Sequence, residues 1–289
     1  MTTVLRADSL ASALKDIEEC VSSGVVDELE ARALGWNIAP SISKEMLRIS
    51  RSLISFRVKK ERLGRFLVVT GLDKTGKETQ VFNPQRKAGV VSIVEHLKSK
   101  GYQVLGIHQP SYNTMMGQLV GAYLGHPTEL VKIDGVLDPA IAWLLWSLDR
   151  GQQSERIVTW ISMGRMHVAV AKRWTESNVV YQSVNGVSPE RVLSFESNVV
   201  KQDATILLYA SIETIMSRLV SHYADAYENV QTLKKVAELY SDLEKLYPYG
   251  KVYRISADPD LQTVNRNVLS VVDDLLSVDR EISGGADSK

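Results

Sequence analysis

The chain has 289 residues, 44% apolar and 24% charged, which is ordinary for a globular protein and enough for one large domain or two small ones. Lysine plus arginine balance aspartate plus glutamate, so the formal charge is zero and a generally basic surface for nucleic acid is unsupported. The lone Cys20 allows no internal disulfide, no run of about 18 apolar residues offers a membrane span, and the N-terminus lacks the order of a secretory signal, so the expected location is the cytoplasm.

Residues 1–63 read as a helical extension. Leu10, Leu14, Ile17 and Val21 recur at helical spacing after the caps Asp8 and Ser9. Glu28 to Trp36 suits a second helix. Ser43 suits the N-cap of a third, KEMLRISRSLISFRVKKERL, with Glu45 in its first turn. Such apolar stripes need burial, either against the rest of the chain or against a protein partner. Residues 64–279 alternate strand-like and helix-like segments. The strand candidates are 65–71, 103–109, 166–173, 204–210 and 252–257, with helical periods over 90–101 and 138–164. That alternation predicts an α/β fold, a three-layer sandwich with a mainly parallel central sheet covered on both faces. The Gly- and Ser-containing end, 280–289, reads as a disordered tail.

The strongest motif follows the first strand: Gly71-Leu72-Asp73-Lys74-Thr75-Gly76-Lys77. The G-x4-G-K spacing lets successive backbone N–H groups curl around phosphate oxygens, and Lys77 adds charge at the outer phosphates. The phosphate-binding set is Gly71, Lys74, Thr75, Gly76, Lys77, Glu78 and Thr79. Position 78, where a hydroxyl normally binds Mg²⁺, is a carboxylate instead. Pro84 stands seven residues after Lys77 and should break the helix that opens at the loop, so VFNPQRKAGV reads as an insertion.

Six words in order resemble the thymidylate kinase family of P-loop nucleoside monophosphate kinases: GLDKTGKETQ, QPSYNTMMG, LLWSLDRGQQSERI, KRWTESNVVYQ, YEN at 227–229 and ISAD at 255–258. The resemblance implies ATP as donor, dTMP as acceptor and a homodimer. It gives Asp73 to the acceptor sugar, Arg173 to the acceptor phosphate, and Tyr181 and Gln182 to the nucleoside. Lys77, Asp73 and Arg173 are the catalytic candidates. Trp146 falls where an aromatic ring stacks on thymine, or else is a core tryptophan like Trp143 one turn earlier. Arg150 falls where an arginine bonds the base edge, or else forms an ion pair.

The departures from the family pattern are also ordered. Lys172 replaces the aspartate of an Asp-Arg-Tyr segment, His108 and Gln109 replace an arginine and a glutamate, and the lid segment has no arginine after Arg218. No residue is assigned as a metal ligand, and use of Mg²⁺ stays open. Glu78 and Lys172 carry complementary charges on either side of the magnesium position, which predicts an ion pair across it, or else an ammonium that takes over part of the metal's charge. Two functions follow: transfer from ATP to dTMP giving dTDP, weak or altered, or a homologue that keeps the fold for binding or assembly without turnover.

Overall fold

Strand β1 (Thr3–Arg6) runs straight into helix α1 (Ala7–Ser23), followed by α2 (Val26–Ala33) and α3 (Pro40–Ser55). The computed structural model describes residues 2–55, 61–219 and 230–284. The stripe Leu10, Ala13, Leu14 and Ile17 buries one face of α1, and Gly24 ends the helix in the left-handed region at φ 75°. The third helix starts at Pro40, three residues before the expected cap Ser43, because a proline suits the first helical turn.

The second zone continues with β2 (Arg65–Gly71), α4 (Lys77–Val81), α5 (Ile93–Ser99), β3 (Gln103–His108) and α6 (Met115–Tyr123). Next come β4 (Val131–Asp134), α7 (Pro139–Ile161), β5 (His167–Lys172), α8 (Thr175–Val184) and α9 (Pro189–Phe195). The chain then forms β6 (Ala204–Tyr209), α10 (Ile212–Leu219), α11 (Val230–Ser241), α12 (Leu243–Leu246), β7 (Lys251–Ser256) and α13 (Leu261–Gly284). The lid word YEN at 227–229 lies outside the described residues. Helix α13 extends into the stretch whose composition suggests a tail, and residues 285–289 lie outside the described residues.

All five predicted strands form one parallel sheet, in the order β3-β5-β2-β6-β7. Successive side chains of β2 feed opposite cores: Phe66 and Val68 join the cluster beneath α7, while Leu67 and Val69 join the one beneath α5 and α13. The fold is therefore α/β, with helices on both faces of a parallel sheet. Among the described residues no helix is long and apolar enough to cross a membrane. Two further strands, β1 and β4, pair in parallel with Thr3 opposite Val131.

Helix α4 stops at Val81, before Pro84. Asn83, at φ 44°, closes the insertion: its Nδ2 donates to the carbonyl of Val90 at 3.0 Å and its Oδ1 accepts from the N–H of Lys87 at 2.9 Å. Asn265 of α13 then clasps the same region, donating to Gln80 Oε1 at 2.7 Å and accepting from the N–H of Val91 at 3.1 Å.

The N-terminal helices share the core of the main sheet. Leu10, Leu14, Ile17, Ile42, Met46, Ile49 and Leu53 form one cluster with Trp143, Leu144 and Leu148 of α7. Gly151 lets α3 approach α7 closely, since a Cβ there would meet Ile49 Cγ2 at 2.9 Å and Leu53 Cδ2 at 3.1 Å. Gly151→Val should therefore force α3 from α7 and destabilise the protein by about 1–3 kcal/mol, against any gain in helix propensity. Denaturant unfolding checks this, and an unchanged midpoint would show that the contact yields freely.

Candidate functional site

The site is assembled at the carboxyl ends of β2, β5 and β3. Lys172 is opposite Val69 in one ladder and opposite His108 in the other. The chain therefore leaves the sheet on the phosphate loop, on Lys172-Arg173 and on His108-Gln109 side by side. Arg173 sits at φ 66°, where non-glycine residues are uncommon, and its N–H donates to the carbonyl of Val69 at 2.9 Å. That turn swings its guanidinium back over the phosphate loop.

The loop has the backbone its glycines permit. Gly71 has φ 133°, and a Cβ there would strike the carbonyl oxygen of Leu208 at 2.0 Å. Gly76 has φ 88° and Lys74 φ 62°. Thr75 Oγ1 donates to the carbonyl of Leu72 at 2.8 Å and staples the turn. Lys77 is buried, donates to the same carbonyl at 2.5 Å, and lies 3.6 Å from Asp73 Oδ1. Burial and the neighbouring charge of Arg173 push Lys77 well below the ordinary lysine value. A phosphate arriving there would add an opposite charge that favours the ammonium.

Asp73 is gripped by Arg173, whose Nη2 stands 2.5 Å from Oδ1 and also donates to the Tyr181 hydroxyl at 3.2 Å. Arg173 Nη1 donates to Ser177 Oγ at 2.9 Å and to the carbonyl of Gly71 at 3.1 Å. Burial alone would raise the Asp73 carboxyl, but Arg173 and Lys77 hold it well below the usual range. Arg218, which the sequence suggested only as the last arginine before the lid, donates to the carbonyls of Lys74 at 3.0 Å and Ala257 at 2.8 Å. It ties α10 to the phosphate loop.

Glu78 points away from a hydroxyl's role. Its Oε2 lies 2.5 Å from Lys172 Nζ and its Oε1 3.4 Å from His108 Nδ1. Burial holds His108 below its ordinary value, so at neutral pH the positive charge facing Glu78 is that of Lys172. The residues at this position do not fit a magnesium site: the Glu78 carboxylate is matched by the Lys172 ammonium, and the other carboxylate of the loop, Asp73, by Arg173. Thr79, at the start of α4, is half-buried.

Beside the loop opens a cleft of about 330 Å³, lined among others by Asp73, Lys74, Tyr112, Trp146, Arg150, Arg173, Tyr181 and Gln182. Of the neighbouring Trp143 and Trp146 of α7, Trp143 is the core residue, fully buried, while Trp146 is half-buried and meets Tyr123 edge-on at 5.5 Å. Arg150 forms an ion pair, but a buried one: Nε and Nη2 both bond Glu196 of the turn after α9, at 2.9 and 2.6 Å. That leaves Nη1 and the second N–H of Nη2 for a base edge, which narrows the role the resemblance implies. Glu196 also accepts from Ser147 at 2.6 Å, Thr175 at 2.6 Å and Asn178 at 3.0 Å. Gln182 is buried and its Oε1 accepts from Asn185 at 3.0 Å.

Under the cleft, Asp149 is buried and accepts from the N–H of Ser111 at 2.8 Å and from Gln152 at 2.5 Å. Burial nonetheless lifts its carboxyl from 3.8 to about 6. The folded protein therefore holds this proton more tightly than the unfolded chain. The stability it contributes is full below the ordinary carboxylate range and lost as the pH rises through about 6. Roughly two pH units at ~1.4 kcal/mol each give about 3 kcal/mol. The stability of the protein relative to Asp149→Asn should fall by up to that amount between about pH 4 and pH 7. Unfolding curves at several pH values check it, and a flat difference would show that Asp149 is ionised throughout.

Three comparisons bear on this geometry. The family model described as thymidylate kinase matches residues 69–268. A thymidylate kinase of Caldicellulosiruptor saccharolyticus is 29% identical over 220 residues, 74% of this chain and 98% of that protein. A probable thymidylate kinase of Thermococcus kodakarensis is 25% identical over 214 residues, 73% of this chain and 98% of that one. Among solved structures, the thymidylate kinase of Candida albicans aligns with a TM-score of 0.53 at 18% identity, over 75% of this chain and 94% of its own, which shows the shared fold. With a phosphate loop, an adjoining cleft and a family match spanning most of its length, the chain belongs to the thymidylate kinase family.

Proposed function

We propose that the protein is a thymidylate-kinase-type phosphotransferase, with ATP as donor, dTMP as acceptor, and ADP and dTDP as products. The supporting observation is the convergence of Asp73, Trp146, Arg173, Tyr181 and Gln182 on one cleft beside the phosphate loop. In this reading Trp146 stacks on the base and Gln182 presents its amide to the base edge. Asp73 accepts a hydrogen bond from the sugar hydroxyl, and Arg173 holds the acceptor phosphate. The loop N–H groups and Lys77 hold the donor phosphates.

An acceptor phosphate oxygen forms its bond to the γ-phosphorus as the bond from that phosphorus to the β,γ-bridging oxygen breaks. The developing charge passes to the leaving ADP, against Lys77. Residues 1–63 serve this site indirectly, as the support of the helix that carries Trp146 and Arg150.

A second reading, binding without turnover, is favoured by one observation: Glu78 and Lys172 replace a hydroxyl and a carboxylate and form an ion pair with each other. Losing one transition-state contact typically costs about 100–1000-fold in rate, so turnover should be slow. Release of ADP that depends on dTMP, followed in a coupled assay with AMP as a control acceptor, supports the first reading. Tight dTMP binding with no ADP release supports the second, and no binding at all rejects both and leaves a homologue that keeps the fold for assembly. Trp146→Ala should weaken dTMP binding by about 1–3 kcal/mol, the worth of one base–aromatic stack.

A further inference from the structure

The pair Glu78–Lys172 is embedded in a small built unit. Glu78 and Phe82 stand four residues apart at the two ends of α4, with Phe82 as its C-cap, so both lie over the same patch of sheet. That patch is the face of β3 that carries Gly106 and His108, two residues apart. The Phe82 ring stacks on the His108 imidazole, with centroids 3.7 Å apart and planes 12° apart. It also fills the space above Gly106, where a Cβ would meet Phe82 Cε1 at 2.7 Å. His108, fixed by this stack, flanks one oxygen of Glu78 at 3.4 Å. Lys172, its neighbour across the ladder, takes the other at 2.5 Å.

We infer that this unit stands in the place of a divalent cation, so that the phosphate loop takes the phosphates of a nucleotide without a metal. The inference rests on the nucleotide reading of the site given above. Charge and geometry carry it. A Mg²⁺ ion held by Glu78 would sit about 2 Å from a carboxylate oxygen, and so within roughly 5 Å of the Lys172 ammonium already bonded to that carboxylate. The ion would have to displace Lys172 from its only carboxylate partner among the described residues. Without a metal, Lys77, Lys172 and Arg173 oppose Asp73 and Glu78, and Lys74 and Arg218 stand at the same loop, so basic side chains outnumber carboxylates at its mouth.

The test uses the full chain and ADP as probe, by calorimetry in magnesium and in chelator, with dTMP measured in parallel. ADP affinity should change by no more than about twofold, whereas a metal that bridged loop and phosphate would make it strongly dependent on magnesium. Glu78→Gln frees Lys172 from its partner and should tighten metal-free ADP binding severalfold. If Glu78 were a metal ligand, the same change would weaken magnesium-dependent binding. Glu78→Thr and Lys172→Asp together should create a magnesium dependence greater than the sum of the single changes, because both residues share one interaction. Thermal melting of each variant separates loss of fold from loss of binding. ADP binding only with magnesium overturns this inference and leaves the nucleotide reading intact. Failure of both ADP and dTMP to bind in either condition overturns both.

Discussion

Everything at the site depends on one strand pairing, β2 beside β5 with Val69 opposite Lys172. The phosphate loop leaves the first strand and the Lys172-Arg173 turn leaves the second, so parallel register alone brings their charges together. A slip of one residue would send Lys172 to the opposite face of the sheet and separate Glu78 from its ammonium. The register is held firmly because both faces of β2 are buried, Phe66 and Val68 in one core and Leu67 and Val69 in the other.

That rigid base tolerates a costly arrangement above it. Arg173 takes a left-handed backbone, and Lys77 keeps its ammonium in a buried place against a backbone carbonyl. Each is stabilised by groups around it: Asp73, Ser177, Tyr181 and the Gly71 carbonyl for Arg173, the Leu72 carbonyl and Asp73 for Lys77. The buried ion pair of Arg150 and Glu196 is satisfied in a different way. Three further side chains, Ser147, Thr175 and Asn178, complete the carboxylate's bonding, so α7, α8 and the turn after α9 are fixed with respect to one another. Trp146 inherits its position on the cleft wall from that network.

The sequence made the main sheet legible because its strands are short apolar runs separated by helical periods, and it made the phosphate loop legible because glycine spacing is local. It also exposed Glu78 and Lys172, since opposite charges at two related positions carry information even when they are far apart in the chain. Strands β1 and β4 escaped because four residues are too few to show a period. Glu196 escaped because nothing near it marks it as the partner of Arg150, 46 residues away. The Phe82–His108 stack escaped because it needs Gly106 beneath it, a relation that exists only once α4 lies on β3. The bond from Arg218 to the loop carbonyl likewise arises only from the packing of α10.

The pairing of β1 with β4 bears on how the molecule is made. The N–H of Thr3 donates to the carbonyl of Leu130 at 2.8 Å, so during synthesis β1 has no partner until more than a hundred residues have followed it. At ordinary rates of synthesis that wait is roughly ten seconds. The apolar face of α1 waits longer still, until α7 is complete, and that of α3 waits for the same helix. In the nascent chain these helices can cover one another only in part, and the apolar faces meant for α7 stay open to chaperones and to neighbouring chains.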